Sequence, residues 1–380
     1  MSSILYTGGM VLLWLINLLN GTGIGIVYRT TEYARILALA VAFLLFLWEG
    51  RFRKGWLVPK KHFLVLFFMV GLFAVSSYLR GYKLAGLECL WGFLITYIVS
   101  RTRPNRQDLY IVGLAYAALG LAILFIYNFM TALSGWNDNS IAMIGLFSFL
   151  VFVIPYYGIR DVKSMIMISL VGAAYVFLIW PTESRSCSFA VVLALLIVFR
   201  VVPFEKMFRK NWRIYVALHV PLIVALLGCI VAANADMNVL NAWSAEEFGK
   251  TFFSGREGIW KDSLSTIESN LLFGTGFVAN GIYHNSAIAC LVAYGIVGYG
   301  LWITLFETLI KKTLPYWDDI CVAGAISAFF VIFWQQSVEL GMFAVTPNII
   351  PYAILGLLLA RAKTMQEKDA QKSAIEKGNL

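Results

Sequence analysis

One histidine and a few arginines stand where composition gives them no reason to be. His284 opens "HNSAIACLVAYGIVGYG" (284–300), where a polar stretch turns into an apolar run punctuated by Gly295, Gly298 and Gly300. Arg256 lies in "SGREGIW" (254–260), Arg185 in "PTESRSCSF" (181–189), and Arg80 and Lys83 in "YLRGYKLAG" (78–86). An imidazole exchanges a proton near neutral pH, which suits activation of a hydroxyl. A guanidinium presents a planar fork that grips phosphate oxygens at two points. Together these groups suit attack by a hydroxyl on a donor carrying a phosphate. The other two histidines read as structural: His62 sits at a helix start and His219 lies two residues before Pro221.

The elements that must position them are membrane helices. The 380 residues are 60% apolar and 13% charged, with a mean hydropathy of +0.77. Apolar runs near the roughly 20 residues needed to cross a bilayer recur from end to end. The expected fold is all-α and polytopic, a single transmembrane domain over 1–361 followed by a charged cytoplasmic tail over 362–380. Twelve spans are expected: 4–22, 33–50, 62–79, 84–100, 108–127, 140–157, 164–180, 188–204, 214–233, 286–309, 316–336 and 347–361. The first charge is Arg29, so the first apolar run reads as a retained helix rather than a cleaved leader. Lys and Arg concentrate in every second connection, after spans two, four, six, eight, ten and twelve. Such loops stay cytoplasmic, which puts both termini inside. The net charge of +9 therefore sets orientation and does not point to nucleic acid. The five cysteines are scattered without ligand spacing, so neither a metal nor a disulfide is expected.

His284 then ends the one long extracytoplasmic loop, about 234–284, which should contain short helices. "SGREGIWKDSLSTIE" (254–268) predicts a helix with Ser254 and Glu257 as a capping box and Trp260, Leu264 and Ile267 as its apolar stripe. "SAEE" (244–247) offers a second cap of the same type. Arg256 falls in a first helical turn, which favours a bound anion over a lone cation. Arg185 sits at the outer mouth of span eight among Thr182, Glu183, Ser184 and Ser186. The plain alternatives are a solvated loop position for Arg256, snorkelling for Arg185 and interfacial anchoring for Arg80 and Lys83. Trp136, Trp243, Trp260 and Tyr283 share this face and suit stacking on sugars, while Asn285 suits helix capping or orientation of the imidazole. The set fits a lipid-linked diphosphate whose sugar passes to an alcohol, and it lacks the paired carboxylates of a glycoside hydrolase.

"SGREGIW", "SNLLFGTGF" and "YHNSAIACLVAYGIVGYG", in that order, resemble the signature region of the O-antigen ligase and polymerase family. "TESRSCSFAVVLALLIVF" resembles its upstream serine–arginine motif. The likeness covers about 181–300. It implies a metal-independent, cofactor-free, inverting glycosyltransferase with a GT-C-like fold, acting on undecaprenyl-diphosphate-linked oligosaccharides outside the bacterial cytoplasmic membrane. Carried across, His284 matches the family's essential histidine and Arg185 and Arg256 its diphosphate-holding arginines. Arg80, Lys83, Glu183, Trp260, Tyr283 and Asn285 are expected to bind substrate. The implied partners are lipid-linked donor and acceptor, the bilayer, and flippase and chain-length regulator proteins. A polymerase joining repeat units is the favoured form, a ligase moving glycan to a lipid acceptor the alternative. A flippase would instead show repeated halves and midplane charges, and a purely structural membrane protein would leave the outer arginines unexplained.

Overall fold

In an apolar medium a backbone amide finds no partner but another amide, and the chain answers that constraint with helices. The computed structural model describes residues 2–21, 28–48, 52–53, 58–82, 90–130, 137–208, 210–276, 283–343 and 348–376; Lys83 and Trp136 lie outside them. The described residues contain no strand. Their helices are α1 (Ser2–Gly21), α2 (Tyr28–Trp48), α3 (Lys60–Leu79), α4 (Leu90–Ser100), α5 (Arg106–Phe129), α6 (Asp138–Val153), α7 (Val162–Ile179) and α8 (Arg185–Val198). Then follow α9 (Phe204–Phe208), α10 (Asn211–Asn234), α11 (Met237–Phe248), α12 (Arg256–Ser269), α13 (Ser286–Thr313), α14 (Ile320–Gln335) and α15 (Ile349–Glu376). Among the described residues six helical segments are long and apolar enough to cross a membrane, and five shorter apolar ones accompany them.

Burial sorts the helices into centre and rim. Ile141–Val153 of α6, Cys321–Phe333 of α14 and Ile349–Ala360 of α15 are buried on every side, as helices apolar all round must be. On α3, α7 and α10 one flank stays open, with Phe67, Leu170 and Leu227 exposed, as expected where lipid completes the packing. The bundle has two distinct polar ends. At one, Arg361 grips Asp319 through two hydrogen bonds of 2.9 and 2.7 Å. Beside it the buried Arg53 donates to the carbonyls of Thr102 and Ala360 and pairs with Glu367. α15 runs on into the expected charged tail as far as Glu376. The other end lies beyond Gln335, the last of α14's 16 residues, a run of about 24 Å at 1.5 Å per residue. There α13 begins.

Gly295 interrupts α13, with φ 62 and ψ −167. The backbone groups freed by the break are taken up by the segment 271–276. Thr275 and Gly276 donate to the carbonyls of Val292 and Ala293 at 2.8 and 2.7 Å, and Ile296 donates to Leu271 at 2.9 Å. A Cβ on Gly295 would sit 2.3 Å from the Leu272 backbone, and one on Gly274 2.3 Å from that of Ala293. The three glycines of the opening stretch meet different surroundings. Gly295 makes the break, Gly298 lies against Tyr294 and Phe73, and Gly300 meets open space. Gly295→Ala should lower the thermal unfolding temperature of the detergent-purified protein, since φ 62 with ψ −167 is a conformation open essentially to glycine alone and costs another residue roughly 1–3 kcal/mol. Gly300→Ala should leave that temperature unchanged. Equal melting of the two variants would contradict the inserted segment.

Candidate active site

Three helices begin at one cavity of about 440 Å³. Arg185 is the first residue of α8 and Arg256 the first of α12, while His284 stands just before α13, and all three line it. A helix N-terminus carries unpaired N–H groups and the positive end of the dipole, which favours an anion at the starts of α8 and α12; the first amides of α13 are already taken by Gln336 and Asn285. Arg185 donates to Ser244 Oγ at 2.9 Å, to the Thr251 carbonyl at 3.0 Å and to Ser254 Oγ at 2.9 Å. It lies ahead of the apolar run of α8. Burial, with the nearby Arg256 charge, lowers its pKa from the usual arginine value, and Glu183 opposes the shift. Arg256 donates to Glu339 Oε1 at 2.8 Å. The other oxygen of the same carboxylate lies 3.6 Å from His284 Nδ1. Lys250 pairs with Glu183 at 2.7 Å on the same wall. Four described non-glycine residues have positive φ, and three of them, Glu183, Ser254 and His284, line this cavity. Backbone strain of that kind persists only where surrounding contacts enforce it, and it concentrates at working sites.

Those contacts are specific. Asn285, fully buried, caps α13 by accepting from the amides of Ala287 and Ile288 at 2.9 and 3.0 Å. Its amide nitrogen donates to the Pro221 carbonyl of α10 at 2.7 Å and to the Ser337 carbonyl at 2.8 Å. Next to it, Ser286 donates from its backbone to the Gln336 carbonyl and from its hydroxyl to Gln336 Oε1. The segment carrying Glu339 is thus tied to the start of α13. Pro221 has no N–H to offer the carbonyl one turn back, and Trp334 Nε1 donates to that Ala217 oxygen at 2.9 Å instead. Trp260 Nε1 donates to the Tyr283 carbonyl at 2.9 Å, steadying the residue before His284.

The chain matches no protein-family model and no curated protein.

The structure brings His284, Arg185, Arg256 and Glu183 together as neighbours of one space. Others of the expected set fall elsewhere. Trp260 is fully buried against Gly228 and Phe253, so its ring has no face for a sugar. Asn285 spends its amide on the four contacts above and is a clamp, not a substrate ligand. Tyr283 is half-buried against the core, and Arg80 is exposed at the end of α3, beside Gly276 rather than at the cavity. The capping boxes do not form either. α12 starts after Gly255, and Ser254 faces Arg185; Ser244 lies inside α11, which Asp236 caps. Sequence reasoning missed Lys250 and Glu339. A signal for the latter was present in "QQSVEL" (335–340), a polar string interrupting apolar sequence at the end of α14.

Asn285→Ala removes a cap and leaves the Pro221 and Ser337 carbonyls buried without that donor. Unfolding in detergent should show about 2–4 kcal/mol of lost stability, the sum expected of a few buried hydrogen bonds. Wild-type stability with weakened substrate binding would instead return Asn285 to the binding surface.

Proposed function

We propose that the chain is a GT-C-type glycosyltransferase that polymerises undecaprenyl-diphosphate-linked oligosaccharide repeat units at the outer face of the bacterial cytoplasmic membrane. It would cross that membrane twelve times with both termini inside. The reading is supported by the resemblance of 181–300 to the O-antigen ligase and polymerase family and by the alternation of basic loops. The observation that carries it is the meeting of His284, Arg185 and Arg256 around one cavity, from three separate stretches of sequence.

The chemistry follows from the placement. A diphosphate fixed at headgroup depth by its lipid enters between the two arginines, where guanidinium groups and helix N-termini stabilise the charge of the departing group. The acceptor hydroxyl arrives from the aqueous side and gives its proton to His284. Its oxygen bonds to the anomeric carbon as the bond from that carbon to the diphosphate breaks, and the configuration inverts. A base must lie within about 3 Å of the hydroxyl it serves, which places it at the boundary between loop and membrane.

His284→Ala should keep binding of the lipid-linked donor while glycan transfer by the purified enzyme falls roughly 100- to 10,000-fold, the usual worth of a general base. Normal transfer by this variant would reduce the histidine to an interfacial anchor and remove the catalytic reading.

A further inference from the structure

Glu339 is 5% exposed, and its carboxylate stands between a cation and an imidazole at unequal distances. The Arg256 contact, at 2.8 Å, is a full charge-assisted hydrogen bond. The His284 contact, at 3.6 Å, is too long to be one. In this state Arg256, which the donor needs, is occupied, and His284 is without the carboxylate partner that would fix its tautomer. The cavity wall thus carries three cations, Arg185, Lys250 and Arg256, and two carboxylates, Glu183 and Glu339. A diphosphate entering it must compete with Glu339 for Arg256.

We infer that Glu339 is a handover residue: it holds Arg256 until a diphosphate takes its place, and the released carboxylate then moves to His284 Nδ1. The inference rests on the glycosyl-transfer reading for its second half and on the ion pair alone for its first. A shift of about 0.8 Å would bring the carboxylate from 3.6 Å to ordinary hydrogen-bond distance. Once there, it accepts from Nδ1–H and leaves Nε2 bare, the form that takes a proton. The acceptor's O–H proton goes to Nε2 as the new glycosidic C–O bond forms. The electron pair of the broken anomeric C–O bond leaves with the diphosphate, and the carboxylate stabilises the imidazolium. Base activation is thereby coupled to donor occupancy, which guards against an active base in an empty site. Glu339 touches no reacting atom in this scheme and is a positioning residue.

The two halves are separable. Glu339→Gln keeps the shape and removes the charge, so Arg256 is released early and His284 loses its orienting partner. Calorimetric titration of the detergent-purified full chain with inorganic diphosphate should show several-fold tighter binding than wild type, while kcat for glycan transfer drops by at least about tenfold. Merely structural damage would weaken binding and lower kcat together. Glu339→Asp, whose carboxylate stops one methylene short of Arg256, should move both constants in the same directions by less, and it serves if the glutamine variant does not fold. Unchanged or weaker diphosphate binding in both variants overturns the handover and leaves the proposed function standing. Tighter binding by a protein whose wild type transfers no glycan would keep the competition for Arg256 and remove the coupling to catalysis.

Discussion

The buried amide of Asn285 is the contact on which the rest of the site depends. One side chain caps α13, holds the Pro221 carbonyl of α10 and holds the Ser337 carbonyl beyond α14. His284 precedes it by one residue, and Glu339 follows Ser337 by two. The imidazole and the carboxylate, 55 positions apart in sequence, come within reach because this amide fixes both backbones. Pro221 contributes by what it lacks. With no N–H to close the helix, α10 leaves a carbonyl for Trp334, and that bond seats the end of α14 beside it. A buried polar network of this kind is rigid only when every member is satisfied.

The break in α13 follows the same rule. Exposed backbone at membrane depth would cost several kcal/mol per group, so Gly295 interrupts the helix only where 271–276 supplies replacement partners. The inserted segment sits against Ser76 of α3, whose carbonyl lies 2.4 Å from where a Cβ on Gly276 would be. The stacked rings of Phe73 and Tyr294 close the contact between α3 and α13. A loop that leaves α12 is thereby locked into the bundle before the chain returns at His284. Trp260 and Asn285 hold the backbone on either side of His284, Lys250 holds Glu183 and Arg185 holds Ser254, so all three keep a positive φ that free loops would relax.

Much of this was legible in the sequence, and the failures have physical reasons. The helical, apolar character of the chain follows from the length of its apolar runs, because that term dominates in a bilayer. His284, Arg185 and Arg256 stand out as polar groups at the margins of apolar runs. Trp260 misled because an indole is both a sugar platform and a large core residue; only the surroundings decide, and here Gly228 makes room for it in the core. Ser254 has the type and spacing of a cap, yet its φ of 54 turns it toward Arg185, a contact 69 residues away that no local pattern contains. Glu339 is a lone acid in a short polar string, and its importance is set wholly by its neighbours in space.

The central claim is that the cavity between α8 and α12 receives a lipid-borne diphosphate. A cryo-electron-microscopy reconstruction of the protein in lipid nanodiscs with undecaprenyl diphosphate addresses it most directly. Phosphate density is expected in the cavity, with oxygens about 3 Å from the guanidinium groups of Arg185 and Arg256. Diphosphate bound elsewhere, with the cavity empty and both arginines at their present partners, would contradict it.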